Sequence, residues 1–528
     1  MKYFDFHAHI ILKQLFSDNP NIDATISKND VGGIPRACTD LPNIIESQIH
    51  QSQLAEFNEE VVIGVVLYAM ESFLAQQVLE LRKFVRDSSK PKLSDTLLND
   101  IFKADFKIKP FTNFVMDRTL NNYLNAPQSF NVLRKESFNQ PLPKNKVNVY
   151  FVVEGCHSLV DTSNGIDIAN KPFPPAEILN NLDKLLSKVP IIAVNLVHLQ
   201  VSNLGNQAFA IQLTDIQNFI PRGNGLTNDG RTVIQGLFDR GICVDTKHMS
   251  FKTRLDLRTD IDAGRFNNLQ PVVCTHTGFT GIPFRQWAGF VSRKSPDRQA
   301  VFVEVAKTMQ VHNSPRRPGF PSFNMSTINL FDEEIVWIVQ HGGMIGLSLD
   351  RRIIGYVDKH DETPTGRNPD SPFIVDKEFI SAGEWMALEI PDTAIGKSVN
   401  EDDCMTMDEL EKCTEGAVSS RNEFFFDHVL LQLKHYLQTC INAGIPLAEA
   451  QQHICIGSDY DGLINPFLNM PTVKDMAELK KYIHDNFGFF LEVLEDSKQW
   501  FKQLPIDQFV EDLFYNNGLN FIKSRFAR

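Results

Sequence analysis

The sequence predicts an α/β protein organised as a single (β/α)8 TIM-type barrel with long loop insertions at its C-terminal face. Three observations lead there. Eight short runs rich in apolar and β-branched residues are spread along the 528 positions. Several of them are continuously apolar, as strands buried on both faces read. Helix-like segments separate them, such as "PAEILNNLDKLLSKV" before the fourth run and "GRTVIQGLFDRG" before the fifth. The structural alternative is an open doubly wound sheet, for which eight parallel strands are many.

The runs are "KYFDFHAH", "VVIGVVLY" from Val61, "VNVYFVVEG" from Val147, "IIAVNLVH" from Ile191, "GICVDTKH" from Gly241, "PVVCTHTG" from Pro271, "GGMIGLSLD" from Gly342 and "HICIGSDYDG" from His453. The first ends in His7 and His9, and alternation puts residues two apart on one face. The third ends at Glu154, the fourth at His198, the fifth at His248, the sixth at His276 and the eighth at Asp459. In a barrel all these ends converge on one mouth, so residues hundreds of positions apart become neighbours. Lys247 beside His248 is turned away by the same alternation and takes no role.

Residues 11–60, 69–146, 277–330 and 351–422 are longer than a crossover needs, and the last is rich in Asp, Glu, Pro and Gly. Insertions after strands gather at the catalytic face as walls or lids. Residues 1–528 therefore read as one barrel, with insertions at 69–146 and 277–330 and an insertion or lid at 351–422.

An isolated His-x-His pair is weak evidence for a metal. The pattern of ligand types at the other strand ends makes it strong. Glu154 follows "VYFVV" and would be costly to bury without a cation. Asp459 in "GSDYDG" is better read as a proton-transfer group than as a helix cap, the role open to Asp461. Four imidazoles with one or two carboxylates suit Zn, with Mn, Fe or Co as alternatives, and not Mg or Ca. Two ions are expected, because the ligands outnumber those of one tetrahedral ion and Glu154 has two oxygens with which to bridge. Paired ions lower the pKa of a bridging water and clamp the oxygens of a hydrolytic transition state.

A net charge of -13 argues against a nucleic-acid or anionic-membrane surface. There is no apolar run of membrane-spanning length and no basic-plus-apolar leader, so a cytoplasmic protein is expected. Cys156, Cys243, Cys274 and Cys455 lie in or beside strand-like runs and read as reduced core thiols.

The stretches "FHAHI", "VEGCHSL", "GLTNDGRTVIQGLFDRGICVDTKHMS", "VVCTHTG", "FDHVLLQLKHYL", "ICIGSDYDGL" and "NNGLNFI" resemble, in that order, the renal or membrane dipeptidases of the amidohydrolase superfamily. The resemblance implies a binuclear zinc site, with His7, His9 and Glu154 on one ion and Glu154, His248 and His276 on the other. It implies Asp459 as the catalytic acid/base and His198 as the group that polarises the substrate carbonyl. His157 and His428 match positions that support such a site. The substrate implied is a small molecule, a dipeptide, and a homodimer is a further expectation.

Two departures stand out. His9 occupies the place where the family usually has Asp. Ile328 precedes Asn329 where the family has the Arg that binds the substrate carboxylate. Arg285, Arg293, Arg351 and Arg352 are the candidates to replace it, through a charge-assisted bidentate contact. The expected reaction is hydrolysis of a dipeptide or N-acyl amino acid amide through a metal-bridging hydroxide. The missing Arg motivates a lactone, cyclic amide or phosphoester as alternative substrate, and a non-catalytic metal-binding scaffold is the alternative of a different class.

Overall fold

The computed structural model describes every residue except 18–20, 27–45, 83–93, 103–106, 210–218, 297–298, 309–321, 356–371, 403, 407, 409–417, 463, 468, 493–496, 498 and 528. Its strands in chain order are β1 (Tyr3–Ala8), β2 (Val61–Leu67), β3 (Phe130–Val132), β4 (Val147–Val153), β5 (Ile191–Asn195), β6 (Cys243–Asp245), β7 (Val272–Thr277), β8 (Val291–Pro296), β9 (Ala300–Ala306), β10 (Ile345–Leu347), β11 (Val375–Ser381) and β12 (Ile454–Ile456). The eight expected runs are β1, β2, β4, β5, β6, β7, β10 and β12, and they pair in that order, all in parallel. β1, β2 and β4 are buried at every position; β2 is apolar throughout, while β1 also buries Asp5 and His7 and β4 also buries Asn148.

Backbone bonds beyond the ends of β12 and β1 close the sheet: Asp459 N donates to His7 O (2.9 Å) and His9 N to Tyr460 O (2.8 Å). Asp5 seals the same seam, accepting from Ser458 N (2.9 Å) and Ser458 Oγ (2.5 Å). The chain is thus a (β/α)8 barrel, and the doubly wound alternative falls. Its wall is tight around Thr275, where a Cβ on Gly346 or on Gly457 would stand 1.9 Å from the Thr275 carbonyl oxygen. Only glycine permits that approach.

The connecting helices form for local reasons. Helix Pro175–Leu186 opens with proline at its first turn and buries Ile178, Asn181, Leu182 and Leu185, one stripe at helical spacing. Helix Asn228–Asp239 is capped by Thr227, whose side chain accepts from Gly230 N, and helix Phe251–Asp262 by Ser250, which accepts from Thr253 N. The second cap sets the turn that leads out of β6 past His248.

The insertions carry structure of their own. Residues 69–146 contribute helices Ser72–Arg82 and Asp95–Phe102, a π-helical segment Pro110–Leu120 and the short β3, which pairs with the first half of β4. Strands β8 and β9 from residues 277–330 and β11 from residues 351–422 form one antiparallel sheet in the order β11-β9-β8. Parts of these insertions, 83–93, 103–106, 309–321, 356–371 and 409–417 among them, lie outside the described residues. Among the described residues no helix is long and apolar enough to cross a membrane. Cys156, Cys243, Cys274 and Cys455 are buried and form no disulfide among the described residues.

Candidate metal centre and active site

Glu154, one residue beyond β4, is the hub of the barrel mouth. Its Oε1 lies 3.2 Å from His248 Nε2, 3.4 Å from His7 Nε2, 3.5 Å from His198 Nε2 and 3.7 Å from His276 Nε2, while its Oε2 lies 3.3 Å from His9 Nε2. Asp459 Oδ1 stands 3.5 Å from His9 Nε2 and 3.9 Å from His7 Nε2. All seven side chains come from strand ends, as the sequence predicts. His248 and Asp459 hold left-handed backbone, at φ 67° and 59°, a conformation non-glycine residues adopt at a cost and chiefly where function demands it.

Three groups in this cluster could each hold a cation, with ligand atoms within 4.8 Å of one another: His7, Glu154 and His276; His7, His9 and Asp459; and Glu154, His198 and His248. This grouping differs from the pairing the family resemblance implies. By distance to the two Glu154 oxygens, His9 lies on Oε2, while His7, His198, His248 and His276 lie on Oε1. The donor set fits a transition metal. His7 Nε2 and His9 Nε2 are buried without a hydrogen-bond partner among the described residues. His248 Nε2 and His276 Nε2 are 3.1 Å apart, an approach that a shared cation relieves.

The electrostatics are those of a site built for positive charge. Burial alone would raise the Glu154 carboxyl, but the facing His198 and His7 hold it well below the ordinary range. Burial pushes His248 down to about 3 and His276 well down as well, so both rings are neutral, the form that ligates metal. His9 goes the other way, to about 9: burial opposes its charge, and the close carboxylates of Asp459 and Glu154 outweigh it. Burial raises Asp459 above the usual carboxylate value, a direction that suits a group trading protons near neutrality.

The structure supplies supporting residues that the strand-end pattern misses. Thr275 Oγ1 donates to Asp245 and lies 2.9 Å from His7 Nδ1 and 3.1 Å from His276 Nδ1. Its only proton being spent on Asp245, the hydroxyl accepts from both rings, and both Nε2 atoms turn to the cluster. Glu71, four residues beyond β2, lies 2.5 Å from His198 Nδ1 and accepts from Tyr68 OH (2.5 Å). Burial would raise the Glu71 carboxyl, but the charges of His198 and His157 and the bonds it accepts bring it down to about 2. An acid shortly after the second run was the available signal for Glu71. Nothing local in the sequence marks Thr275 or Asp245.

The other expected residues are scattered. A cavity lined by His9, Tyr68, Glu154, His198, His248 and Asp459 also has Asp350 and Arg352 in its wall. Arg352 forks onto Asp350, Nε to Oδ1 at 3.0 Å and Nη2 to Oδ2 at 2.6 Å. Arg351 is buried beside it, whereas Arg285 is exposed and Arg293 is an exposed residue of β8, 4.0 Å from Glu304. His157 Nε2 donates to Ala69 O (2.8 Å) next to Glu71, and His428 is buried on helix Val418–Asn442 and does not line the cavity. Asp461 is no helix cap: it accepts from Gln48 N (2.7 Å) and pairs with Lys13 (2.9 Å), tying the first loop to the rim. Lys247 follows the end of β6, where alternation no longer holds. Its ammonium is buried without a hydrogen-bond partner among the described residues, and burial lowers its pKa. Ile328 packs in a small apolar cluster with Ala208 and Ile353.

No protein-family model matches the chain, and no curated protein matches it by sequence. Among solved structures it is similar to a metallopeptidase from Rhodobacter sphaeroides bound to a phosphinate mimic of the dipeptide L-Ala-D-Ala, with 14% identity over 97% of this chain and 99% of that one and a TM-score of 0.47. It is similar to the dipeptidase AC, a metallopeptidase of family M19, with 13% identity, the same coverage and a TM-score of 0.45. It is also similar to the probable dipeptidase PvdM from Pseudomonas aeruginosa, with 11% identity over 100% of this chain and 95% of that one and a TM-score of 0.45.

Proposed function

We propose that this protein is a binuclear metal-dependent hydrolase that cleaves the amide bond of a dipeptide or N-acyl amino acid. The observation that carries the reading is the convergence of five imidazoles on the two oxygens of Glu154, with Asp459 beside them. His7, His9 and Glu154 would hold one ion, and Glu154, His248 and His276 the other, with zinc as the metal the donor set favours. Bound there, the metals supply Lewis acidity and the activation of water at neutral pH.

The chain's own groups do the rest. Asp459 takes a proton from the attacking water on a carboxylate oxygen and returns it to the leaving nitrogen. Burial opposes charge on His198, but the carboxylates of Glu71 and Glu154 raise its pKa, so with one N–H on Glu71 the ring presents a second, Nε2–H, to the oxygen that gains charge as the carbonyl is attacked. Arg352, held by Asp350, lines the same cavity as Glu154, His198 and Asp459 and would receive the substrate's carboxylate. A second reading, a lactone, cyclic amide or phosphoester substrate, is favoured by one observation: the position of the family's carboxylate-binding Arg is Ile328, packed against Ala208 and Ile353.

The test is a dipeptide panel assayed with metal-loaded protein, alongside lactones and phosphotriesters. The reading expects dipeptide hydrolysis that is abolished by chelation and by Asp459→Asn and that falls when the C-terminal carboxylate is amidated. Activity that survives chelation and Asp459→Asn sinks the mechanism, and activity confined to the lactones or esters selects the second reading.

A further inference from the structure

We infer that Glu71 is a positioning residue for His198: from a loop after a different strand, it holds the imidazole by Nδ1 so that only Nε2 faces the reacting centre. The inference rests on the role proposed above for His198. Glu71 is 1% exposed and lies beyond β2, whereas His198 lies beyond β5. The contact between Glu71 Oε1 and His198 Nδ1 is 2.5 Å, and on its far side His198 Nε2 is 3.5 Å from Glu154 Oε1. The ring therefore spans two carboxylates, one to hold it and one at the centre.

The surroundings of Glu71 leave it little else to do. Tyr68 OH donates to its other oxygen, and His157 Nε2, engaged with Ala69 O, is 3.6 Å from Oε1. Tyr68 spends its proton on Oε2 and His157 spends its own on Ala69 O, so the carboxylate acts as an acceptor, and the His198 nitrogen facing it must be the one that carries hydrogen. Tyr68 then packs edge-on to His198 at 5.2 Å and to His9 at 5.8 Å between ring centroids, which blocks rotation of the His198 ring away from the centre. A carboxylate that fixes the orientation and protonated nitrogen of a working imidazole is a recurrent device, and its loss typically lowers turnover more than binding.

The test has two parts. In metal-loaded protein labelled with 15N-histidine, with His198 assigned by its loss in His198→Ala, long-range nitrogen–proton correlation should show a proton on Nδ1. An unprotonated Nδ1 in the unsubstituted protein overturns the inference with no variant of Glu71 needed, and whether or not the proposed substrate is right. In the second part, Glu71→Leu should lower kcat by about 100-fold or more with KM changed less than about threefold. Glu71→Gln, which keeps an acceptor for Nδ1, should recover at least about tenfold of that loss. In a His198→Ala background Glu71→Leu should cost less than about twofold further. Multiplicative losses, or a Gln variant no better than Leu, would mean that Glu71 acts through the fold and not through His198. If the unsubstituted protein hydrolyses nothing on the panel, the proposed function fails and the Nδ1 measurement still decides the role of Glu71.

Discussion

His7 Nδ1 lies 2.9 Å from Thr275 Oγ1, and that hydroxyl, bonded onward to Asp245, is shared with His276. One threonine thus sets the working nitrogen of two histidines that belong to different metal sites in the proposed scheme. Thr275→Val keeps the shape and removes the acceptor. It is expected to weaken metal binding by about 10- to 100-fold, the usual size of losing such a support. Competition with a chromogenic chelator measures this, and an unchanged affinity would detach Thr275 from the ligands.

Arg254 is predicted to be a structural keystone. It is 2% exposed, forks onto Glu334 at 2.7 and 2.9 Å, and donates to the carbonyls of Met249, Thr327 and Asn329. It thereby joins the helix after β6 to the insertion after β7. Arg254→Ala leaves Glu334 buried without its cation and should destabilise the protein by about 3–5 kcal/mol. Urea denaturation would read this directly, and a loss below about 1 kcal/mol would show that the carbonyls and Glu334 find other partners.

Glu378 on β11 predicts how stability changes with pH. Burial raises its carboxyl to about 8, against the bonds from Thr327 N (3.0 Å) and Thr327 Oγ1 (2.8 Å) that favour the charge. In the unfolded chain the group returns to its ordinary value near 4.5. Between those values the folded protein keeps a proton the unfolded chain has released. The contribution is therefore whole below pH 4.5, is lost as the pH rises, and levels off above about 8. Glu378→Gln should flatten this slope, so that the stability of the variant relative to the parent improves by a few kcal/mol from pH 4.5 to 8. Parallel curves of urea midpoint against pH would contradict it.

Arg352 carries the prediction about substrate. Arg352→Met is expected to raise KM for a dipeptide by about 100-fold, with a far smaller effect on a substrate whose C-terminus is already an amide. Equal losses on both substrates would assign Arg352 to holding Asp350 and the loop.

Much of this architecture is legible in the residues. A strand buried on both faces is mostly apolar, so β2 announces itself outright and β1 and β4 do so despite the buried Asp5, His7 and Asn148, and a barrel puts whatever follows each strand at one mouth. His7, Glu154, His276 and Asp459 were legible for that reason. Glu71 and Asp245 were hidden because their meaning lies in a partner 127 and 30 positions away, which no local pattern encodes. The sheet of β8, β9 and β11 joins two separate insertions, a pairing set by tertiary packing and not by either stretch alone. Arg285 and Arg293 show the limit of sequence proximity: both follow the right strand, and both side chains stand exposed.

The metal content of the protein tests the central claim most directly. Protein purified without chelators and loaded with zinc should hold about two equivalents per chain by elemental mass spectrometry, and Glu154→Gln, which removes the shared ligand, should hold fewer than about one. Zinc no higher than in a Glu154→Gln, His248→Ala double variant would contradict the account.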